Sequence, residues 1–127
     1  KNKTMGLQDE VLISKNAWQT GGSKMFIEVG KKVKIQELLH GIITTSGNDA
    51  SVAMAEHISG NEETFAIYMN QMADSLGMND TSYANSTGLP DEDLYTTARD
   101  ISLLSRALIK DFPKEYKLYS QKEYVFN

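Results

Sequence analysis

A serine and an asparagine stand two residues apart in the string Ser46-Gly47-Asn48-Asp49-Ala50. The serine hydroxyl and the asparagine amide can each donate and accept hydrogen bonds. Residues two apart across a glycine can point into one cleft when rigid elements hold the turn on both sides. Ser46 and Asn48 are therefore the candidate pair for chemistry in this chain.

The flanking sequence predicts such a rigid turn, because apolar residues recur at helical spacing on both sides of it. They are Ile35, Leu38, Leu39, Ile42 and Ile43 before the turn, and Ala50, Ala53, Met54 and Ile58 after it. The pattern predicts one helix over about 36–44 and a second over about 49–59, ended by Gly60. We expect Asn48 or Asp49 to cap the second helix.

Spacing alone also allows a plainer interpretation of the pair. Ser46 can be a polar residue that ends a helix, and Asn48 can be a helix cap, since polar caps far outnumber catalytic sites. Asp49 is better explained as a helix N-terminal charge than as an acid catalyst.

The segment before these helices contains short β signals. Val11-Leu12-Ile13 predicts a strand, and Asn16-Ala17-Trp18 predicts a turn with an aromatic anchor. The segments 25–27 and 32–34 flank Gly30, which predicts a small hairpin between them. The loop 20–23 is glycine-rich and is expected to be an ordinary mobile loop, or a flap near the site in a larger parent protein.

Three helical segments are predicted after Gly60. Asn61 is expected to cap the first and Gly77 to end it; its predicted apolar face consists of Phe65, Tyr68, Met69, Met72 and Leu76. Thr97 and Asp100 resemble a capping box for the second, which Pro113 ends; its predicted inward residues are Ile101, Leu104, Ala107 and Leu108. A short helix reaching Tyr119 and a strand over 123–126 complete the chain.

Composition excludes several function classes. The 127 residues suffice for one domain with a core, and 40% hydrophobic with 24% charged content fits neither a disordered nor a membrane-spanning chain. A net charge of −4, with no basic cluster beyond Lys31-Lys32-x-Lys34, disfavours nucleic acid as a partner. The chain has no cysteine, and His40 and His57 lack ligand-like spacing, so we expect no thiol chemistry and no metal.

An ordered series of motifs extends over nearly the whole chain. It consists of Asn16-Ala17-Trp18, Gly22-Ser23, Met25-Phe26, Gly41-Ile42, the string 46–50, Leu76-Gly77-Met78, Gly88-Leu89 and the segment 95–100. This series resembles the low-molecular-mass penicillin-binding proteins, the serine-type D-alanyl-D-alanine carboxypeptidases. One Ser-x-Asn match would be weak evidence, whereas the ordered series is strong.

The resemblance implies a catalytic site of three parts. In that family, the serine of Ser-x-x-Lys attacks the carbonyl of the penultimate D-Ala, and the lysine takes its proton. Ser-x-Asn supplies a hydroxyl for proton transfer and an amide that holds the substrate's peptide bond. A Lys-Thr-Gly strand binds the terminal carboxylate and lines the oxyanion site.

By this resemblance, Ser46 and Asn48 are the catalytic and substrate-binding residues of the chain. Thr87 and Gly88, in the long connector 78–96, either line the substrate cleft or form a plain turn. No serine has a lysine three residues later, and Lys3-Thr4 is followed by Met5. The chain therefore carries the middle part of the site alone, and we expect it to be inactive by itself.

The resemblance implies a mainly α fold with short β-hairpin pieces. It corresponds to the helical subdomain of the α/β serine DD-peptidase fold, which is also the β-lactamase and transpeptidase fold. Residues 1–127 are expected to be a single helical subdomain, truncated at both ends relative to the parent catalytic domain. The parent would trim the terminal D-Ala of peptidoglycan stem peptides through an acyl-enzyme and bind β-lactams, with no metal or organic cofactor.

The implied location of the parent is periplasmic or extracytoplasmic and membrane-associated, although no membrane segment is expected in this chain. An isolated fragment of this kind is expected to self-associate through open apolar surface. Two alternatives stay open. One is a stand-alone, non-catalytic helical binding module, and the other is a fragment of a β-lactamase-like enzyme, against which Gly47 argues.

Overall fold

The computed structural model describes residues 6–120, and for Leu118 the backbone only. The predicted mainly α class with short β pieces is confirmed. The strand predicted over 123–126 lies outside the described residues. In chain order the elements are β1 (Glu10–Leu12), α1 (Lys15–Trp18), β2 (Lys32–Lys34), α2 (Ile35–Thr45), α3 (Asn48–Ser59), α4 (Glu62–Ser75), α5 (Ala98–Asp111) and α6 (Pro113–Tyr116), followed by a 3₁₀ turn over Lys117–Ser120.

Helix α3 lies at the centre of the packing, in contact with α1, α2, α4 and β1. Its apolar residues are buried on several sides of the helix: Ala50, Val52, Ala53 and Ala55 are each at most 3% exposed. A helix that is apolar on several sides needs neighbours on several sides. Because α3 begins directly after the Ser46-Gly47 turn, this packing also fixes the turn.

Strands β1 and β2 form a two-stranded antiparallel sheet in which Val11 pairs with Val33. Both valines are buried, whereas their strand neighbours are exposed, as the period of two requires. The predicted hairpin between 25–27 and 32–34 is wrong. Segment 25–27 cannot extend as a strand because Phe26 has φ 61° and because its amides bind a side chain of α3.

The segment 16–18 is helical, and the predicted aromatic anchor is wrong. Ser14 Oγ caps α1 by accepting a 3.0 Å hydrogen bond from the Ala17 N–H. Ala17 is completely buried, while Trp18 is 47% exposed. The small side chain of Ala17 lets α1 approach α3 closely, and Ala17 is the buried residue of this segment.

The bounds predicted for α4 agree with the structure, but the predicted inward face is correct only in part, because Phe65, Met69 and Leu76 are half-buried. Asn61 Oδ1 accepts a 2.7 Å hydrogen bond from the Thr64 N–H, and Gly77 follows the helix with φ 81°. The buried residues are Ala66 and Ala73, which lie seven positions apart on one face. Small residues face α3, so the larger side chains lie at the flanks: Tyr68 and Met72 are about half exposed.

Helix α5 is capped by Thr97, as predicted. Thr97 Oγ1 accepts a 3.1 Å hydrogen bond from the Asp100 N–H. The expected inward face is correct only in part, because Ile101 is 40% exposed whereas Leu104, Ala107 and Leu108 are half-buried. Within residues 6–120, no helix has both the length and the apolar character needed to cross a membrane.

Candidate active site

Ser46 stands at the end of α2 in the left-handed conformation, with φ 53° and ψ 41°. The turn is closed by Gly41 O, which accepts from the Gly47 N–H at 3.0 Å and from Thr45 Oγ1 at 2.7 Å. A residue other than glycine in this conformation costs about 1–3 kcal/mol, and such residues cluster at functional sites. The Ser46 side chain is exposed, and its hydroxyl has no hydrogen-bond partner among the described residues.

Asn48 is the first residue of α3 and is 7% exposed. It does not cap the helix as expected, since Gly47 occupies the N-cap position without a side-chain bond. The Asn48 N–H donates to Ser23 O at 2.8 Å, and Nδ2 donates to Gly21 O at 3.1 Å. Both bonds join Asn48 to the glycine-rich loop, and the bond to Gly21 O orients its side-chain amide.

The loop lies against Asn48 because it contains Gly22. This glycine has φ 79°, and a Cβ atom at this position would overlap Asn48 Nδ2. We call residues 21–27 the covering loop. The structure shows that this loop contacts Asn48, and the interpretation as a flap near the site stays a prediction.

Asp49 lies in the first turn of α3, where a negative charge is favourable. It does more than this, because its carboxylate accepts hydrogen bonds from the Met25 and Ile27 N–H groups at 3.0 and 3.2 Å. At 1% exposure it is not accessible to a substrate. The two polar residues at positions 46 and 49 thus have different surroundings: Asp49 faces the interior, and Ser46 faces solvent.

Thr87 and Gly88 belong to a turn that is held by its own side chains. Asn85 Oδ1 accepts from the Gly88 N–H at 2.7 Å, and Thr87 Oγ1 accepts from the Leu89 N–H at 3.1 Å. The turn reaches the covering loop through Leu89, whose Cδ2 lies 3.5 Å from the position of a Cβ on Gly22. The structure therefore brings this turn beside the loop that covers Asn48.

The connector that carries this turn is tied to α5 by Asp100, which is completely buried. Its Oδ2 accepts from Thr81 Oγ1 at 2.6 Å and from the Asp80 N–H at 2.9 Å, and Arg99 lies 3.3 Å from Oδ1. The Thr81 hydrogen bond is the main cause that lowers the pKa of Asp100, with the Asp80 amide and Arg99 adding to it against the opposing effect of burial. Burial, and secondarily the Asp100 charge, raises the pKa of Tyr83.

Sequence reasoning proposed Ser46 and Asn48 as the candidate pair but missed how the structure holds them. The Gly21-Gly22 pair was the available signal, because two glycines in a row permit a close backbone approach. Nothing in the local pattern indicated that Asp49 binds a segment more than twenty residues earlier. In the described part of the chain, no group of three or more His, Cys, Asp or Glu side chains is placed to hold a metal ion.

The sequence model of the D-alanyl-D-alanine carboxypeptidase family, peptidase S11, matches residues 1–127. The chain is 41% identical over 122 residues to the D-alanyl-D-alanine carboxypeptidase DacA of Haemophilus influenzae. That alignment covers 94% of this chain and 31% of the relative. The chain thus spans about a third of the length of this relative.

Solved structures have the same fold. The D-alanyl-D-alanine carboxypeptidase DacD of Francisella tularensis superposes with a TM-score of 0.91 at 45% identity, over 93% of this chain and 29% of that one. Penicillin-binding protein 5 of Haemophilus influenzae superposes with a TM-score of 0.93 at 39% identity, over 98% and 37%. The fold is that of the helical subdomain of serine DD-peptidases. The chain belongs to the D-alanyl-D-alanine carboxypeptidase family.

Proposed function

We propose that the chain is the helical part of a serine-type D-alanyl-D-alanine carboxypeptidase. The whole enzyme removes the terminal D-Ala from peptidoglycan stem peptides through an acyl-enzyme, binds β-lactams and works outside the cytoplasm. Family membership supports the reaction class. Within this chain, Ser46 passes a proton at the reacting centre, and the Asn48 amide holds the substrate's peptide bond.

The observation that carries this assignment is the contrast between the two side chains. Ser46 is held in a left-handed turn with an exposed hydroxyl that has no partner among the described residues. The Asn48 amide uses one of its N–H donors on Gly21 O, which fixes its direction and leaves its other donor for a ligand. An oriented amide two residues from a hydroxyl with no partner among the described residues suits a site that must hold one group and move a proton at another.

Thr87 and Gly88 have a lesser role in this proposal. The Thr87 hydroxyl is occupied within its own turn. Gly88 is exposed and stands next to Leu89, which reaches the covering loop. We assign this turn to the wall of the substrate cleft, where it contributes backbone and shape.

The test uses the full-length protein to which the chain belongs. Release of D-alanine from a synthetic peptide ending in D-Ala-D-Ala is measured for the wild type, for Ser46→Ala and for Asn48→Ala. Ser46→Ala removes the hydroxyl that is proposed to pass the proton, so kcat should fall by about 10²–10⁴-fold. Because alanine keeps the Cβ, the backbone strain and the stability should not change. Asn48→Ala should also raise KM, because the amide holds substrate.

The matched control is Ser102→Ala, since Ser102 is an exposed serine on α5 whose hydroxyl donates to Arg99 O within its own helix. It should retain wild-type kinetics. Wild-type turnover by Ser46→Ala at equal stability would refute the assigned role. A wild-type protein with neither turnover nor β-lactam binding would favour the non-catalytic binding module.

A further inference from the structure

The carboxylate of Asp49 joins α3 to the covering loop. Oδ1 accepts from the Met25 N–H at 3.0 Å and from the Ala50 N–H at 2.9 Å, and Oδ2 accepts from the Ile27 N–H at 3.2 Å. The residue is 1% exposed, so little water competes for these bonds. Both carboxylate oxygens therefore bind the backbone, two of the bonds coming from a segment more than twenty residues earlier.

This arrangement depends on an unusual backbone conformation at Phe26. The residue between the two donors has φ 61°, which lets the N–H groups on either side of it converge on one carboxylate. A residue other than glycine adopts this conformation at a cost. Burial does not offset that cost, because the Phe26 side chain is 78% exposed. The Asp49 bonds to its two neighbours therefore hold Phe26 in this conformation together with the burial of the Met25 and Ile27 side chains.

The other end of the covering loop holds Asn48. Gly21 O accepts from Asn48 Nδ2, and Ser23 O accepts from the Asn48 N–H. Asp49 and Asn48 are neighbours on α3, and their loop partners lie two to six residues apart. The position of Gly21 O, the carbonyl that orients the Asn48 side-chain amide, is therefore linked to the two loop bonds made by Asp49.

We propose that Asp49 is a positioning residue: it fixes the covering loop, and through the loop it sets the orientation of the Asn48 amide. The inference rests on the proposed function, because orientation of Asn48 matters only if that amide binds substrate. Asp49 itself touches no substrate. Its effect on turnover passes through Asn48, whereas a merely structural residue would act on stability alone.

The test is a double-mutant cycle in the full-length protein with Asp49→Asn and Asn48→Ala. Asparagine matches aspartate in size but offers a donor where one of the backbone N–H groups needs an acceptor, so one of the two loop bonds is lost. Kinetics with the D-Ala-D-Ala peptide, the denaturation midpoint and hydrogen exchange of the Met25 and Ile27 amides are measured for each protein.

The expected result for Asp49→Asn is faster exchange at one or both amides and a fall in kcat/KM of about tenfold or more, since small misplacements have large kinetic effects. In the Asn48→Ala background, Asp49→Asn should change kcat/KM by less than about twofold, because the residue through which it acts is gone.

The matched control is Glu56→Gln, on the same helix. Glu56 also accepts two hydrogen bonds, from Ser14 Oγ at 2.6 Å and from Asn16 Nδ2 at 3.1 Å, and it joins α3 to α1 instead of to the covering loop. This variant should lower stability while leaving kcat/KM at the wild-type value.

If the wild-type protein is active, two results would overturn the inference. One is wild-type kinetics for Asp49→Asn. The other is a loss of kcat/KM in the double variant that equals the product of the losses in the two single variants. An inactive wild type overturns the proposed function first, and this inference with it. If Asp49→Asn does not fold, the cycle is repeated in a Phe26→Gly background. Glycine at position 26 adopts the left-handed conformation without strain. Failure to fold there as well would make Asp49 a structural residue and refute its positioning role.

Discussion

Gly22 lies directly against the side chain of Asn48, so closely that a Cβ atom at Gly22 would overlap the amide nitrogen. The glycine also has φ 79°, a conformation that other residues adopt with strain. Two separate requirements, backbone conformation and space, therefore meet at one position. Both follow from the way the covering loop passes over the proposed substrate-binding amide.

Gly22→Ala should impair the site more than the fold. The left-handed backbone alone costs a residue with a Cβ about 1–2 kcal/mol, and the overlap with Nδ2 must also be relieved by moving the loop or the amide. We expect kcat/KM of the full-length protein to fall by about tenfold or more, in line with the effect of small misplacements.

Gly30→Ala provides the matched control for this variant. Gly30 has φ 81°, and a Cβ there would meet no atom within 4 Å. The two variants share the backbone strain, and Gly22→Ala alone adds the overlap. Equal kinetics for both variants would contradict the proposed role of the covering loop in holding Asn48.

Asp100 should make stability depend on pH in the acid range. Its pKa is lowered in the folded state, chiefly by the Thr81 hydrogen bond, so the ionised form stabilises the fold above the unfolded pKa of about 3.9. That stabilisation is lost as the pH falls through the lowered folded-state pKa.

We therefore expect Asp100→Asn to lower stability at neutral pH and to show a flatter pH profile than the wild type below about pH 4. Thr81→Val, which removes the largest cause of the shift, should flatten the profile in part. Urea midpoints at a series of pH values test this. Profiles of equal slope for the wild type and Asp100→Asn would show that the carboxylate is not linked to folding.

Thr97→Ala should destabilise the protein without changing its chemistry. The Thr97 hydroxyl satisfies the otherwise free Asp100 N–H at the start of α5, and losing such a cap costs about 0.5–2 kcal/mol. Chemical denaturation measures this loss. Ser102→Ala, an exposed serine on the same helix, should stay within about 0.5 kcal/mol of the wild type. An unchanged midpoint for Thr97→Ala would show that another group satisfies this N–H.

Local signals were sufficient to predict the helices from α2 onward, although not α1. Asn61, Gly77 and Thr97 act through residues three or fewer positions away, so a pattern of caps and glycines locates the helix ends. The Ser46–Asn48 turn was found in the same way, as the polar interruption between two apolar helical patterns.

The remaining predictions failed because they depend on contacts between residues that are far apart in the sequence. Segment 25–27 has an extended-looking composition, but its amides bind Asp49 on another element, and no local pattern contains that pairing. The face of α4 was predicted only in part, because the prediction relied on the large apolar residues, whereas the fully buried positions of this helix are the alanines at 66 and 73. Burial is decided by the neighbour as well as by the sequence of the helix itself.

The most direct test of the account is the location of the β-lactam adduct in the full-length protein. Residues 1–127 contain no serine with a lysine three residues later, so they should supply Ser46 and Asn48 but not the nucleophile. Intact mass spectrometry after incubation with a penicillin, followed by peptide mapping, should find one covalent adduct on a serine outside residues 1–127. The 127-residue chain alone should gain no mass. An adduct on Ser46, or on any other serine of this chain, would contradict the account.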